Sequence, residues 1–136
     1  MPLILVMHHD VDEQTRLAEQ VARLGFESTT HLGRGDNGNE SAVQPDAVLL
    51  GLPQGPEAWR RRVESFRQRQ PVVPLIAVSA DNSLHHVMLA MAAGAYDYIQ
   101  QPWSEGRLYA SLTRAVELRE LRRSMAFVDD RPGSTS

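Results

Sequence analysis

Leu3-Ile4-Leu5-Val6-Met7-His8-His9-Asp10-Val11-Asp12-Glu13 runs from an unbroken apolar stretch straight into a helix start. Five consecutive apolar residues predict a strand buried on both faces, because a strand with one wet face would alternate. Asp10 and Glu13 stand at the capping-box spacing, and Leu17, Val21 and Leu24 recur at steps of four and three, the inner stripe of a helix that Gly25 ends. Ala47-Val48-Leu49-Leu50 and Pro74-Leu75-Ile76-Ala77-Val78 are two more buried runs, Phe26 to Thr30 is a weaker strand, and Tyr96 to Ile99 a last short one.

Helical and loop segments fill the intervals. His31 to Asn39 reads as a glycine-rich loop before a short helix around Glu40 to Val43. The Pro/Gly-rich stretch Leu52 to Pro56 precedes a helix with Trp59, Val63 and Phe66 on one face and arginines on the other. Leu84, Val87, Met88 and Met91 mark a helix that Gly94 caps, and Ser104 starts the final helix with Trp103 and Leu108 spaced as a hydrophobic staple. Strand and helix thus alternate five times, which predicts an α/β fold: a doubly wound parallel sheet with right-handed crossovers. Chemistry in such sheets sits beyond the carboxyl ends of the strands, here His8, His9, Asp10, Gly51, Ser79, Ala80 and Gln101.

Composition narrows the function classes. A chain of 136 residues, 42% hydrophobic and 23% charged, suits one globular domain. Without cysteine there is no thiol catalysis, Cys-ligated zinc or iron–sulfur cluster, and a reducing, cytoplasmic setting is expected. All fourteen cations are arginine, which excludes lysine-dependent chemistry. A net charge of −3 argues against nucleic-acid binding by this domain, and no stretch has the length of a membrane span or the basic flank of a signal peptide.

Several short motifs, in order and spacing, give the chain a specific likeness. Leu3 to Asp10, Asp46-Ala47-Val48-Leu49-Leu50-Gly51, Leu75 to Ala80, and Gly94-Ala95-Tyr96-Asp97-Tyr98-Ile99-Gln100-Gln101-Pro102-Trp103 resemble the response-regulator receiver domain of two-component signalling, over about Leu3 to Arg122. The resemblance implies the flavodoxin/CheY-like five-stranded sheet, order 2-1-3-4-5, and a cis peptide at Gln101-Pro102. It also implies a site: two acidic residues holding Mg²⁺, a phosphoacceptor Asp, a Ser/Thr and a Lys. At those positions this chain has His8 and His9, Gly51, Ser79 and Gln101.

Only Ser79 matches. Mg²⁺ prefers carboxylate and water oxygens, and Gly51 offers no nucleophile, so the expectation is a degenerate pseudo-receiver, with no catalytic residues, no cofactor and no bound metal. Each retained piece also has a plain structural reading. Ser79 is a switch hydroxyl by resemblance or a partner of nearby backbone; Tyr98 is the switch aromatic or a static, partly buried side chain; Asp10 is simply a helix N-cap. His8-His9 and His85-His86 could ligate zinc or copper, or form a pH-responsive cluster, but the plainer reading is solvated loop histidines. Arg60-Arg61-Arg62 with Arg67 and Arg69 read as a solvated charged face.

The last helix carries Leu108, Leu112 and Ala115 as its core set and continues through Leu118, Leu121 and Met125. That seam is either a frayed extension over its own domain or a dimer contact or linker. The expected organisation is a receiver-like domain over 1–125 with an extended final helix, then a flexible tail or linker over 126–136. The leading expectation is a phosphorylation-independent interaction module, mainly homodimeric, regulating a transcriptional output domain or a partner signalling protein. Its alternative is a sensor of a small molecule or anion in the degenerate pocket. No nucleophile, base and orienting group converge, so an enzyme is not expected.

Overall fold

The continuous apolar runs become the middle of a sheet that has no wet face. The computed structural model describes residues 1–30, 44–53, 56–81 and 83–129. Their order is β1 (Leu3–Met7), α1 (Val11–Arg23), β2 (Glu27–Thr29), β3 (Ala47–Gly51), α2 (Pro56–Arg69), β4 (Leu75–Ser79), α3 (Leu84–Ala93), β5 (Asp97–Gln100) and α4 (Glu105–Asp129). The loop His31–Asn39 and helix Glu40–Val43 expected from the sequence lie outside the described residues. All strand pairs are parallel and the order is β2-β1-β3-β4-β5, the flavodoxin/CheY-like arrangement that the receiver resemblance implies.

Alternate residues of β1, β3, β4 and β5 enter opposite cores. Ile4, Val6, Leu49, Ile76, Val78 and Ile99 pack with Leu17 and Val21 of α1 and Leu108, Leu112 and Ala115 of α4. Leu5, Val48, Leu50, Leu75, Ala77 and Tyr98 pack with Trp59 and Val63 of α2 and Ala90 of α3. The expected inner stripes of α1, α2 and α4 are therefore in place.

Helix α3 differs from its sequence pattern. Of the four residues that mark it, Leu84, Met88 and Met91 are 73%, 60% and 44% exposed, and Val87 is half-buried. The buried positions are His86 and Ala90. The helix contains no charged residue, so periodicity alone cannot choose its inner face; a small Ala and a hydrogen-bonded His sit closer to the sheet than the long apolar side chains do.

The helix ends follow the sequence with one change. Asp10 caps α1, accepting from the N–H groups of Asp12 and Glu13. The reciprocal half of the capping box is absent, since the Asp10 N–H donates to His8 Nδ1 and Glu13 pairs with Arg16. Gly94 closes α3 at φ 120°, a conformation that costs an L side chain energy, and a Cβ there would press on the Arg67 side chain at 2.7 Å. The Ser104 hydroxyl accepts from the Arg107 N–H at the start of α4, and Trp103 and Leu108 join the same core. Helix α4 ends at Asp129, so residues 126–129 of the expected tail are helical and 130–136 lie outside the described residues.

Two ionic contacts fasten α4 to the sheet. Arg119, 7% exposed, donates to Asp46 Oδ1 at 2.9 Å, and Asp46 Oδ2 accepts the Leu3 N–H, joining α4 to the start of β1 and β3. At the other end Arg107 grips Asp97 with both terminal nitrogens and also donates to the Tyr98 carbonyl, while Ser111 donates to Asp97 Oδ2 at 2.7 Å.

Burial opposes the Asp97 charge, but hydrogen bonds from Arg107, Ser111 and the Tyr98 N–H outweigh it and hold the carboxyl below its usual range. A depressed folded value means stability that is present above the unfolded value of about 4 and lost as pH falls through the folded one. Urea midpoints measured from about pH 7 to about pH 2.5 are expected to fall on the acid side, and Asp97→Asn should flatten that limb. An unchanged acid slope in the variant would remove Asp97 as its source.

Candidate functional site

Parallel strands end on one edge, and the residues just past those ends meet there. His8 and His9 follow β1, Gly51 ends β3, Ser79 ends β4, and Gln101 follows β5. The registers Met7↔Leu50, Gly51↔Val78 and Ser79↔Gln100 bring them side by side. A cavity of about 390 Å³ opens among them, lined by His8, His9, Ser79 and Gln101 together with Asp10, Glu13, Leu52, Val78, Ala80 and Asp81. The Gln101–Pro102 peptide is cis, as the resemblance implies.

Gly51 is in the group but not in the lining, because the His8 ring lies over it. A Cβ built on Gly51 would fall 2.6 Å from both Cγ and Nε2 of His8 and closer still to Cδ2. Any side chain at position 51 therefore competes with the imidazole for one space.

The pose of His8 is fixed on three sides. Its N–H donates to Gln14 Oε1, its Nδ1 accepts the Asp10 N–H at 3.0 Å, and its ring stacks on His9 with centroids 4.6 Å apart. Burial, then the neighbouring His9, lowers its pKa, against a weaker pull upward from Glu13 and Asp10. With Nδ1 accepting, the single proton of the neutral ring sits on Nε2.

Most polar groups of the lining are already used. Ser79 Oγ accepts the Asp81 N–H at 3.0 Å, the plain reading of that hydroxyl, and Asp10 is engaged in capping. Asp81 Oδ1 accepts the Ser83 N–H, a bond that pulls the Asp81 carboxyl below its ordinary range. Asp81 and Glu13 are lining carboxylates that the sequence reading left out of the site. Asp81 could have been found from its position two residues past β4, on the same edge as the rest.

The family's Mg²⁺ does not fit this lining. Two imidazoles stand at the strand end where a hard ion needs carboxylates, Asp10 and Glu13 are committed elsewhere, and among the described residues no group of three or more His, Asp or Glu is placed to hold a metal.

His85 and His86 are not loop residues. Both lie on α3; His85 is exposed, whereas His86 is 3% exposed and bonded on both ring nitrogens. The expectation of solvated loop histidines fails for His86 because Trp59 and Tyr98 supply the hydrogen bonds that make its burial tolerable. Tyr98 is 8% exposed and turned inward, donating to the Asp81 carbonyl at 2.6 Å. On α4, Leu118 is half-buried, and Leu121 and Met125 are 57% and 58% exposed. Among the described residues no helix is long and apolar enough to cross a membrane.

No family model matches the chain. It is 35% identical over 69 residues to the response regulator protein PilR of Pseudomonas aeruginosa, covering 51% of this chain and 16% of that protein. It is 25% identical over 119 residues to the DNA-binding transcriptional regulator NtrC of Salmonella typhimurium, covering 84% of this chain and 24% of the relative. The chain thus spans a quarter or less of the length of these relatives. Among solved structures, NtrX from Brucella abortus in complex with ADP superposes with a TM-score of 0.76 at 24% identity, over 98% of this chain and 30% of that one. A CheY-like response regulator receiver domain protein from Methanospirillum hungatei superposes with a TM-score of 0.68 at 19% identity, over 88% of this chain and 97% of that one. The chain is thus similar in sequence to parts of response regulators and in fold to a CheY-like receiver domain.

Proposed function

We propose that this domain is an atypical receiver that signals without accepting phosphate, through contacts with a second copy and with an output domain of a transcriptional regulator. The observation that carries the reading is the His8 ring over Gly51: the position where the resemblance puts a carboxylate nucleophile has no side chain, and the space for one is filled. No lysine exists anywhere in the chain to take the place of the missing cation. Similarity to longer transcriptional regulators supports a regulatory role for the domain within a larger protein.

The cavity leaves room for a second reading, a small-molecule sensor. Among the described residues its lining carries Asp10, Glu13 and Asp81 and no arginine, which speaks against an anion. Titration calorimetry with nucleotides and with neutral or cationic metabolites separates the readings: saturable binding that alters the oligomeric state would favour the sensor.

The dimer reading rests on α4 and its neighbours α3 and β5. Leu121 and Met125 continue the Leu118 seam into water, and exposed apolar area is worth roughly 25 cal/mol per Å² when covered, so pairing two seams about a twofold axis is a favourable closure.

Incubation with acetyl phosphate, or with beryllofluoride and Mg²⁺, should leave intact mass, spectra and oligomeric state unchanged. Gly51→Asp alone should not confer phosphorylation and should destabilise the fold by about 1–3 kcal/mol, because the new side chain meets His8. A stable phosphoryl adduct on the wild-type chain would overturn the proposal. The wild-type chain should also dimerise with concentration as the sole trigger, and Leu118→Glu/Leu121→Glu should yield a folded monomer by sedimentation. A dimer that survives the double substitution lies on another surface.

A further inference from the structure

His86 joins three elements through side chains that allow one proton arrangement. Trp59 of α2 can only donate, and its Nε1–H points at His86 Nε2 at 3.0 Å, so that nitrogen is bare. The Tyr98 hydroxyl of β5 has one hydrogen, given to the Asp81 carbonyl at 2.6 Å. Its oxygen therefore accepts from His86 Nδ1, 2.7 Å away, and the ring proton sits on Nδ1. The relay runs Trp59 to His86 to Tyr98 to the Asp81 carbonyl, every group satisfied, with the three rings edge-on at centroid separations of 5.2 and 5.9 Å.

Neutral His86 fits this relay, and a second proton breaks it. An Nε2–H would face the Trp59 N–H, donor against donor, inside a core where neither finds water, since Trp59 is fully buried. We propose that Trp59, His86 and Tyr98 form a proton-controlled latch: the neutral Nδ1–H ring holds Tyr98 inward and α3 against α2, and a second proton on His86 releases both.

The groups facing the ring define the balance. From α2 it meets the indole of Trp59, with Arg60, Arg61 and Arg62 exposed to water. From β5 it meets the Tyr98 hydroxyl, which burial pushes up so that it stays a donor; Asp97, the neighbouring carboxylate on that strand, is held by Arg107 and Ser111 of α4. The β4–α3 connection brings the Asp81 carboxylate, which favours the protonated ring. On its own helix, His85 is exposed next door, and the Ser83 hydroxyl takes the His86 backbone N–H. Release would move the outward face of α3, Leu84, Met88 and Met91, with no phosphate involved.

Nitrogen-15 and proton spectra of the histidine- and tryptophan-labelled 136-residue chain test this directly. At neutral pH, His86 should show a protonated Nδ1 and a bare Nε2, and the Trp59 indole proton should be shifted by its bond and protected from exchange. On acidification, the Nε2 proton should appear in step with loss of Trp59 protection and a shift of the Tyr98 ring. His86→Gln, whose amide can donate to Tyr98 and accept from Trp59 without titrating, should keep the neutral-pH spectrum and lose the acid step. An Nε2–H tautomer at neutral pH, an acid step that persists in His86→Gln, or protonation of His86 only together with global unfolding would each overturn the latch.

Discussion

A parallel sheet has to be covered on both faces, and every other feature of this domain follows from that requirement. Residues of β1, β3, β4 and β5 alternate between the α1/α4 core and the α2/α3 core, so β1, β3 and β4 can be almost wholly apolar and still bury nearly every side chain. Same-direction strands also put all five carboxyl ends on one edge. Polar residues just past the strands therefore collect there, which is why a cavity forms between His8, Ser79 and Gln101.

Within that edge, a packed arrangement stands at the positions where the receiver resemblance implies an ionic centre. The His8 imidazole rests on Gly51, stacked on His9 and bonded by the Asp10 N–H, while Gln14 accepts the His8 backbone N–H, and no ion is needed to keep the ring in place. Across the sheet, Tyr98 is likewise held inward by His86 and the Asp81 carbonyl. Two histidines of this chain thus hold their neighbours in place, His8 above Gly51 and His86 beside Tyr98.

The strands were readable because each is a short run of apolar residues between turn signals, and the order of elements alone implies a doubly wound sheet. The face of α3 was not readable, since every residue in Leu84–Ala93 is apolar or histidine and the choice of His86 over Met88 for the interior depends on Trp59 and Tyr98, distant in sequence. The candidate site came partly through the likeness to receivers, which picks out His8, His9, Gly51, Ser79 and Gln101. That His8 fills the space above Gly51 depends on the register of β1 against β3 and a rotamer, neither of which a sequence states. Asp81 was legible from its position two residues past β4, whereas Glu13 reads as a capping-box partner of Asp10 and its place in the lining shows only in the fold.

The central claim is that His8 and Gly51 share one space. A double-mutant cycle with Gly51→Ala and His8→Ala, read by urea denaturation, measures this most directly. Gly51→Ala alone is expected to cost about 1–3 kcal/mol and to cost close to nothing once His8 is Ala, giving a coupling of similar size. An equal cost in both backgrounds would mean that the imidazole does not occupy the space above Gly51, and the account of a filled acceptor position would fall.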